Sequence, residues 1–540
     1  MEKLLLKLSL VSAVVVLCAA PARAEEWTPA TGPLMTRWSK DVSPEKPLPE
    51  YPRPQLVRKD WINLNGLWDL AITPKESPRP QSFDSRILVP YPIESALSGV
   101  MKRVSENDRI WYRRTFELPR KWIGKRILLN FGAVDFDATV FVNGAEAGRH
   151  RGGYDAFTFD ITDLVRAKGQ NEIVVSVWDP TDAGTQPRGK QIRNPHGIWY
   201  TPTSGIWQTV WIEPVTAAYI RNLEITPDID AESVKVRAIA TSAIGQFNVE
   251  AKVLSGSGKV AGATALLGKD LDITIKKPKL WSPEKPHLYR LVVSLKIGSR
   301  TVDRVESYFG MRKISLGRDA NGFTRMMLNN KPYFQFGPLD QGFWPDGIYT
   351  APTDEALRYD IVMTKKFGFN MARKHVKIEP QRWYYWCDRL GLLVWQDMPS
   401  GDKYIGDKDP DIKRTAESAA QFETELEALI KGFYNHPCIV MWVPFNEGWG
   451  QYDTARITDL VRKLDPTRLV NNTSGWADRG VGDVNDVHSY PGPDAPAPET
   501  TRAGVLGEFG GLGLPVSGHT WQLEKNWGYR RCTPAPALTK

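Results

Sequence analysis

The chain has 540 residues, of which 41% are hydrophobic and 24% are charged, and its formal net charge is +8. A chain of this length exceeds what one hydrophobic core organises, so two to four domains are expected. The charge is mild and no run of lysine and arginine stands out, so nucleic acid is not an expected partner.

The amino-terminal 24 residues are typical of a secretory signal peptide. Lys3 and Lys7 supply a positive start, residues 8–20 are apolar, and Ala22-Arg23-Ala24 fits a small-x-small cleavage site. The apolar run is shorter than the ~20 residues that span a bilayer, which disfavours a membrane anchor. We therefore expect residues 1–24 to be removed and the protein to be exported, to the periplasm or the exterior, without a membrane attachment.

Cleavage would leave three cysteines, Cys387, Cys438 and Cys532. Three cysteines in an exported chain make no disulfide framework, and their spacing matches no metal motif. Cys387 and Cys438 lie in apolar runs and are predicted to be buried packing residues. Neither a metal nor a cofactor is expected.

Residues 50–215 contain many short apolar segments separated by glycine, proline and asparagine. One of them, residues 139–142, runs into the hairpin dipeptide Asn143-Gly144. This pattern predicts a jelly-roll sandwich. Residues 216–316 continue with short strands of weaker aromatic content, which predicts an immunoglobulin-like sandwich.

Residues 317–540 change to an alternation of strands and helices, which predicts a parallel sheet of the TIM-barrel kind. Helices are predicted near residues 353–367, 380–390, 416–433 and 454–463. Strands are predicted to start near Tyr333, Asn370, Leu392, Ile439, Leu469, Val484 and Ala503. A closed (β/α)₈ barrel needs eight strands. The barrel is therefore expected to lack its last strand and helix, and the tail after Arg531 is interpreted as a possible frameshift product.

Two glutamates stand at the ends of two predicted strands. Asn446-Glu447 follows the apolar residues 439–442, and Glu508 follows residues 503–506, so 61 positions separate the two glutamates. A lone glutamate most often makes a structural salt bridge. Paired carboxylates at strand ends of one α/β region are what cleavage of a glycosidic bond needs, so we expect both side chains to reach one pocket.

Other side chains near predicted strand ends have a functional and a structural interpretation. Arg373 and His375 are two apart and share one strand face. Asp397 ends the third strand, where it binds a sugar hydroxyl or only caps the loop. Trp449 and Trp521 are stacking platforms for sugar rings or core residues. Asn446 is placed to hydrogen-bond the 2-hydroxyl of a sugar or to serve as turn chemistry.

Seven motifs occur in order along the chain: Asn65-Gly66-Leu67-Trp68, Val89-Pro90-Tyr91-Pro92, Trp111-Tyr112-Arg113-Arg114, Phe141-Val142-Asn143-Gly144, Ser204-Gly205-Ile206-Trp207, Tyr308-Phe309-Gly310-Met311-Arg312 and Cys387-Asp388-Arg389-Leu390-Gly391-Leu392. In these motifs, and over some 450 residues in all, the chain resembles glycoside hydrolase family 2, the family of β-galactosidases, β-glucuronidases and β-mannosidases. The resemblance implies that Glu447 is the acid/base, that Glu508 is the nucleophile, and that Arg373, His375, His488 and Trp521 line the sugar subsite. Where the family often has Tyr-Pro after the histidine that matches His375, the chain has Val376-Lys377.

The sequence thus predicts a retaining, exo-acting β-glycosidase that removes terminal β-linked sugars from oligo- or polysaccharides. Two alternatives stay open at this point: a carbohydrate-binding protein without turnover, and an inactive truncated product. A carbohydrate is the expected partner, and a homo-oligomer is an open possibility. Neither the glycone nor the linkage follows from the motifs, because selectivity lies in loop residues.

Overall fold

The computed structural model describes residues 27–241, 246–522, 524 and 526–532. The predicted signal peptide and residues 533–540 of the tail lie outside these described residues. No helix in the described part of the chain is long and apolar enough to cross a membrane.

The first unit is a β-sandwich whose two main sheets enclose an apolar core. Burial alternates along its strands, as in the segment Asp137–Val142, because successive side chains point to opposite faces. Its strands are β1 (Ile62–Asn63), β2 (Gly66–Pro74), β3 (Ser85–Val89), β4 (Asp108–Glu117), β5 (Arg126–Phe131), β6 (Val134–Asp135), β7 (Asp137–Val142), β8 (Ala145–Arg151), β9 (Phe157–Asp160), β10 (Gln170–Trp178), β11 (Gly205–Ile206) and β12 (Val210–Val215). The larger sheet has the order β3-β2-β4-β10-β7-β8, the smaller has β1-β12-β5-β9, and β11 pairs with β6.

The second unit is a smaller antiparallel sandwich with its own apolar core. In one of its strands the valines at 234 and 236 are buried while Lys235 and Arg237 are exposed, so one face packs inward. Its strands are β13 (Tyr219–Asp228), β14 (Ser233–Thr241), β15 (Asn248–Ser255), β16 (Gly258–Leu266), β17 (Leu271–Thr274), β18 (Tyr289–Ile297) and β19 (Arg300–Phe309). The two sheets have the orders β13-β14-β17 and β16-β15-β18-β19.

The third unit alternates parallel strands with helices, after an antiparallel meander. Three of its parallel strands are buried along their whole length, as expected for strands that are covered on both faces. The meander comprises β20 (Ile314–Arg318), β21 (Thr324–Leu328) and β22 (Lys331–Pro332). The parallel strands and helices are β23 (Leu339–Asp340), α1 (Asp354–Lys366), β24 (Met371–Lys374), α2 (Gln381–Leu390), β25 (Leu393–Asp397), α3 (Ala416–Phe433), β26 (Ile439–Val443), α4 (Thr454–Leu464), β27 (Leu469–Val470), β28 (Val484–Ser489) and β29 (Ala503–Phe509). A short parallel pair, β30 (Leu512–Gly513) and β31 (Arg530–Arg531), follows.

The helices begin and end where the sequence supplies caps. Thr353 precedes α1, and its hydroxyl accepts a hydrogen bond from the Ala356 amide at 3.1 Å. Gly391 ends α2 in the left-handed region at φ 76°, where glycine has no steric penalty. These caps explain why the predicted helix boundaries lie within a residue or two of the observed ones.

The barrel is an open arc in the described part of the chain. Five parallel strands pair in the order β23-β24-β25-β26-β27, and β28 pairs with β29 in a separate sheet. These are the seven parallel strands that the sequence predicts for the barrel. A cavity of about 980 Å³ separates β23 from β29, and Phe334, Phe336 and Phe509 are among the side chains around it.

The first parallel strand begins later than the sequence predicts, at Leu339 instead of near Tyr333. Residues 333–338 run beside β24 without a regular ladder, because Pro338 has no amide hydrogen to donate. Gly337 approaches β24 so closely that a Cβ there would lie 1.7 Å from the Met371 carbonyl oxygen. Glycine is therefore required at this crossing.

A loop of the first sandwich is fixed against the carboxyl end of the barrel strands. The amides of Arg188 and Gly189 both donate to the Ser400 carbonyl, at 2.8 and 2.9 Å. Gly189 has φ 63°, and a Cβ there would lie 2.4 Å from the Val376 carbonyl oxygen. This contact places the residues that follow Gly189 over the strand ends.

Candidate active site

Glu447 and Glu508, from separate strands, meet in one cavity. Glu447 comes four residues after β26, and Glu508 lies near the end of β29. Both line a cavity of about 790 Å³. One carboxylate oxygen of each glutamate and one ring nitrogen of His488 all lie within 4.8 Å of one another. The two side chains therefore have the convergent geometry that the sequence predicts.

The backbone at Glu447 adopts an uncommon conformation. Its φ is +51°, in the left-handed region that non-glycine residues seldom occupy, and Gly448 follows with φ 85°. The Glu447 amide donates to the Ser474 carbonyl at 2.8 Å, which holds the turn. Such backbone strain at a strand end is typical of residues that must aim a side chain at a site.

Glu508 is held as an ionised carboxylate. Arg373 Nη1 donates to Oε1 at 2.8 Å, and the Tyr490 hydroxyl donates to Oε2 at 2.5 Å. Burial opposes ionisation, but the Arg373 guanidinium, two neighbouring histidine rings and the tyrosine hydroxyl hold the pKa of Glu508 at about 2. A carboxylate in this environment is unprotonated at any neutral pH.

Arg373 is the centre of a buried ion-pair network. Its Nε and Nη2 donate to the two oxygens of Asp397 at 3.0 and 2.8 Å, a bidentate pair. Nη2 also donates to Asn446 Oδ1 at 2.8 Å. Arg373 thus fixes the orientation of Asn446 and Glu508 at once, and Asp397 in turn fixes Arg373.

His375 lies close to both Asp397 and Glu508. Its Nδ1 is 3.1 Å from Asp397 Oδ2 and 3.7 Å from Glu508 Oε1. Burial lowers its pKa in spite of these carboxylates. Because a carboxylate oxygen only accepts, Nδ1 carries a hydrogen and donates it to Asp397.

His488 lies between the two glutamates. Nδ1 is 2.7 Å from Glu447 Oε1, and Nε2 is 3.7 Å from Glu508 Oε1. Burial opposes a charged ring, but the hydrogen bond to Glu447 and the nearby Glu508 and Asp486 raise the pKa of His488. Its side chain has no solvent exposure.

The two tryptophans predicted as stacking platforms occupy different places. Trp521 lines the cavity that contains Glu447 and Glu508, and 46% of its surface is exposed. Trp449 packs against Trp199 and Tyr404 with ring centroids 5.2 and 5.0 Å apart, and it is not part of the cavity wall. The sugar-binding roles of these side chains, like those of Asn446, Arg373, His375, Asp397 and His488, stay predictions.

Family models match three consecutive stretches of the chain. The sugar binding domain of glycosyl hydrolases family 2 matches residues 78–211, the model described simply as glycosyl hydrolases family 2 matches residues 218–312, and the TIM barrel domain of that family matches residues 325–506. The chain belongs to glycosyl hydrolase family 2. The resemblance and the three-part fold class that the sequence predicts are confirmed.

Family 2 relatives carry the names of two glycosidases. The chain is 27% identical over 396 residues to a β-galactosidase of Thermoanaerobacter pseudethanolicus, covering 70% of this chain and 50% of the relative. It is 25% identical over 452 residues to a β-glucuronidase of Paenibacillus borealis, covering 78% and 74% of the two chains. The chain spans about half the length of the first curated relatives, 50% and 44%.

Solved family 2 structures share the fold. The β-D-glucuronidase of Dictyoglomus thermophilum superposes with a TM-score of 0.67 at 20% identity, covering 82% of this chain and 77% of that one. A β-glucuronidase of Ruminococcus gnavus gives a TM-score of 0.65 at 19% identity, covering 79% and 74%. At this identity the likeness concerns the fold.

The structure adds three residues to this family 2 site that the sequence reasoning missed. Tyr490 comes directly after β28, two positions beyond His488, and its hydroxyl donates to Glu508. Ser474 accepts or donates a hydrogen bond with His488 Nε2 at 2.8 Å. Lys190 comes from the sandwich loop and lines the same cavity as the two glutamates. No local pattern predicts Ser474 or Lys190, because the residues that each of them approaches are distant in the sequence.

Two sets of ligand-type side chains lie close enough to hold a metal ion in the described residues. In the first, Asp388 Oδ2 already accepts hydrogen bonds from Tyr308 at 2.7 Å and His436 at 2.6 Å, and Oδ1 accepts from the Cys438 amide at 2.9 Å. In the second, Glu447 and Glu508 face opposite ring nitrogens of His488. Neither set therefore presents three free donors to one ion. Cys387 and Cys438 are buried, as the sequence predicts.

Proposed function

We propose that this family 2 chain is a retaining, exo-acting β-glycosidase that removes terminal β-linked sugars. The observation that supports it is the approach of Glu447 and Glu508, whose carboxylate oxygens lie within 4.8 Å. Retaining glycosidases keep their carboxyl groups about 5–5.5 Å apart, whereas inverting enzymes leave about 6.5–9.5 Å for a water molecule. The approach of these two oxygens favours the retaining arrangement.

The two glutamates take different parts of the reaction. Glu508, ionised by its contacts with Arg373, attacks the anomeric carbon and forms a covalent glycosyl-enzyme. Glu447 protonates the departing glycosidic oxygen and then takes a proton from the water that releases the sugar. Asn446 uses its Oδ1 to accept from Arg373, so its Nδ2 is free to donate to the 2-hydroxyl.

The shape of the cavity supports exo action. Its wall combines residues 195–201 of the sandwich loop, residues 343–345 of the barrel and residues 519–522 of the carboxyl-terminal segment. A pocket closed on several sides admits the end of a glycan chain and excludes its middle. Its volume of about 790 Å³ lies within the range of small-molecule sites.

The proposal is tested by the stereochemistry of the first product. The purified chain should hydrolyse an aryl β-glycoside from a panel of galactoside, glucuronide, mannoside, glucoside and arabinoside. Proton NMR during the first minutes should show the β-anomer of the free sugar, and a 2-deoxy-2-fluoro glycoside should label the peptide that contains Glu508. An α-anomer as first product would contradict retention. No turnover from folded protein would favour carbohydrate binding without turnover.

The unpaired ammonium of Lys190 supports a glycone that carries a negative charge. Lys190 lines the cavity with Glu447 and Glu508, and no group among the described residues accepts a hydrogen bond from its Nζ. Burial lowers its pKa in spite of the nearby Glu508 and Glu447 carboxylates. A carboxylate on the glycone would supply a hydrogen-bond acceptor for the ammonium, and some family 2 relatives are named β-glucuronidases.

Replacing Lys190 with methionine should therefore separate acidic from neutral substrates. We expect kcat/KM for an aryl β-glucuronide to fall about 30-fold, because truncating one member of a buried charge pair costs at least about 2 kcal/mol. The value for the corresponding galactoside should change little. Lys285→Met, at an exposed lysine of the second sandwich, is the matched control. An equal loss on both substrates would refute a charge-selective role.

We also propose that the protein is exported, on the strength of the signal-like residues 1–24. Mass spectrometry of protein recovered from the medium or periplasm should find a mature amino terminus at Glu25. Retention of residues 1–24 in the recovered protein would contradict export by this route.

A further inference from the structure

We propose that Glu447 and His488 hold the catalytic proton jointly, and that Ser474 and Asp486 fix where this proton lies. The inference rests on the proposed glycosidase function, and it makes His488 a positioning residue of the acid/base instead of a sugar ligand. Its evidence is a continuous chain of hydrogen bonds from Asp486 to the cavity.

The hydrogen bonds at the buried end of this series have a defined donor and acceptor. Asp486 Oδ2 accepts from Asn471 Nδ2 at 2.7 Å and from Ser474 Oγ at 2.6 Å. The Ser474 hydroxyl has one hydrogen, and it donates this hydrogen in its hydrogen bond to Asp486. The hydroxyl oxygen is therefore left to accept from His488 Nε2, which is 2.8 Å away. Nε2 carries a hydrogen whether the ring is neutral or charged.

One ring position is left to gain or lose a proton, and it faces the acid/base. His488 Nδ1 lies 2.7 Å from Glu447 Oε1. Either a protonated Glu447 donates to a neutral ring, or a charged ring donates to the Glu447 carboxylate. Both descriptions place a single proton between the same two atoms, so this proton belongs to the pair and not to either residue alone.

The packing around the pair isolates it from water on the histidine side. The His488 side chain is 0% exposed, whereas that of Glu447 is 15% exposed and lines the cavity. Gly475 makes the close approach possible, because a Cβ there would lie 3.0 Å from His488 Nδ1 and 3.2 Å from Glu447 Cγ. The shared proton therefore leaves and returns through Glu447, toward the substrate.

Four charged groups face the ring. Glu447 and Glu508 favour the charged ring, and so does Asp486 behind Ser474. Arg373 opposes it, with Nη1 at 3.5 Å from Nε2. That atom donates to Glu508 at 2.8 Å, so the longer approach is a contact and not the ring's hydrogen bond. The balance of these charges raises the pKa of His488.

Glu447 loses one proton in the first half-reaction and regains one in the second. In the first, the Glu447 O–H proton passes to the glycosidic oxygen while the bond from that oxygen to the anomeric carbon breaks and the bond to Glu508 forms. Glu447 is left as a carboxylate beside a neutral His488. In the second, Glu447 takes a proton from water, the water oxygen bonds to the anomeric carbon, and the bond to Glu508 breaks.

Replacing His488 with asparagine tests the proposal through the leaving group. With a phenyl glycoside, whose departure needs an acid, kcat/KM should fall about 10²-fold, while a 2,4-dinitrophenyl glycoside should lose less than about threefold. The basic limb of the pH profile for the phenyl glycoside should move to lower pH, because the variant lacks the ring whose raised pKa helps to retain the shared proton. Ser474→Ala should shift the limb in the same direction by less.

Matched controls separate this role from a structural one. His287→Gln, in the loop before β18, removes a half-buried histidine that does not line the cavity, and it should leave both substrates and the pH profile unchanged. Equal losses on both leaving groups, or an unmoved basic limb in His488→Asn, would overturn the proposal. Thermal melts establish whether each variant is folded. If His488→Asn does not fold, the shift of the basic limb in Ser474→Ala tests the proposal instead.

A readout without turnover distinguishes this inference from the proposed function. The chain has seven histidines, so ¹⁵N-histidine labelling with His488→Asn as reference assigns the ring signals of His488. The neutral ring should carry its hydrogen on Nε2, and Glu447→Gln should lower the ring's pKa. A hydrogen on Nδ1, or an unchanged titration in Glu447→Gln, would overturn the shared proton even if the chain hydrolyses glycosides. The expected NMR result in a chain without turnover would instead count against the proposed function alone.

Discussion

Replacing Glu508 with glutamine should lower kcat/KM for an aryl β-glycoside by more than about 10⁴-fold, because the amide cannot form the covalent intermediate. Glutamine keeps the shape of the side chain, and its oxygen still accepts from Arg373 or Tyr490. The variant should therefore still fold, with a lower thermal midpoint because Arg373 keeps only Asp397 as a charged partner. Steady-state kinetics with phenyl and dinitrophenyl glycosides measure the loss, which should be large for both.

The matched control is Glu499→Gln. Glu499 precedes β29 on the surface, pairs with Arg502 at 2.7 Å and takes no part in the cavity. Its replacement should leave kcat/KM unchanged. Smaller nucleophile variants such as Glu508→Gly give a further check, because azide should enter the vacated space and yield an α-glycosyl azide. If Glu508→Gln kept activity within about tenfold of the parent, the carboxylate would not be the nucleophile.

Replacing Arg373 with methionine should damage both stability and the acid side of the pH profile. The guanidinium is buried between Asp397 and Glu508, and removing one partner of a buried ion pair costs about 3–5 kcal/mol. Without it the pKa of Glu508 rises from about 2, so the nucleophile becomes protonated at higher pH. Urea unfolding at neutral pH measures the first effect, and the acid limb of kcat/KM measures the second.

The sign of the pH effect on stability follows from the depressed pKa of Glu508. Its ionised form stabilises the fold fully above the ordinary glutamate pKa of about 4.3. This contribution is lost as the pH falls from there toward about 2, the value in the folded protein. In Arg373→Met that loss should be smaller, because the contribution is already diminished at neutral pH.

Arg237→Met serves as the control for removing an arginine. Arg237 pairs with Asp270 at 2.7 Å on the surface of the second sandwich, and about half of its side chain is exposed. Exposed pairs contribute about 0–1 kcal/mol, so its unfolding midpoint should hardly move. If Arg373→Met matched this control in stability and kept the parental acid limb, Arg373 would not set the ionisation of Glu508.

The sequence predicts the architecture well because its signals are local. Alternating burial marks the sandwich strands, and fully apolar runs such as residues 439–443 mark the buried parallel strands. The two glutamates are also local signals, since each follows such a strand. The start of the first parallel strand is less well predicted. Pro338 cannot donate to the ladder, and Gly337 is needed for a close approach to Met371 in β24, which the local pattern does not reveal.

The supporting network is not readable from local patterns. The partners of Arg373 lie 24, 73 and 135 positions away, at Asp397, Asn446 and Glu508. Each lies at or just after the end of a different strand, and only the curvature of the open barrel brings them together. The direction of the hydrogen bonds from His488 through Ser474 to Asp486 is likewise a property of the assembled site, because it depends on which oxygen is available to accept a hydrogen bond.

The loop anchored by Arg188 and Gly189 on Ser400 has a consequence for how such proteins diversify. Glu447 and Glu508 come from the barrel, whereas Lys190 comes from the sandwich. A chimera that joins the barrel of one relative to the sandwich of another would inherit its chemistry from one parent and part of its selectivity from the other. Exchange of the sandwich alone would thus redirect the substrate choice while the reaction itself stayed the same.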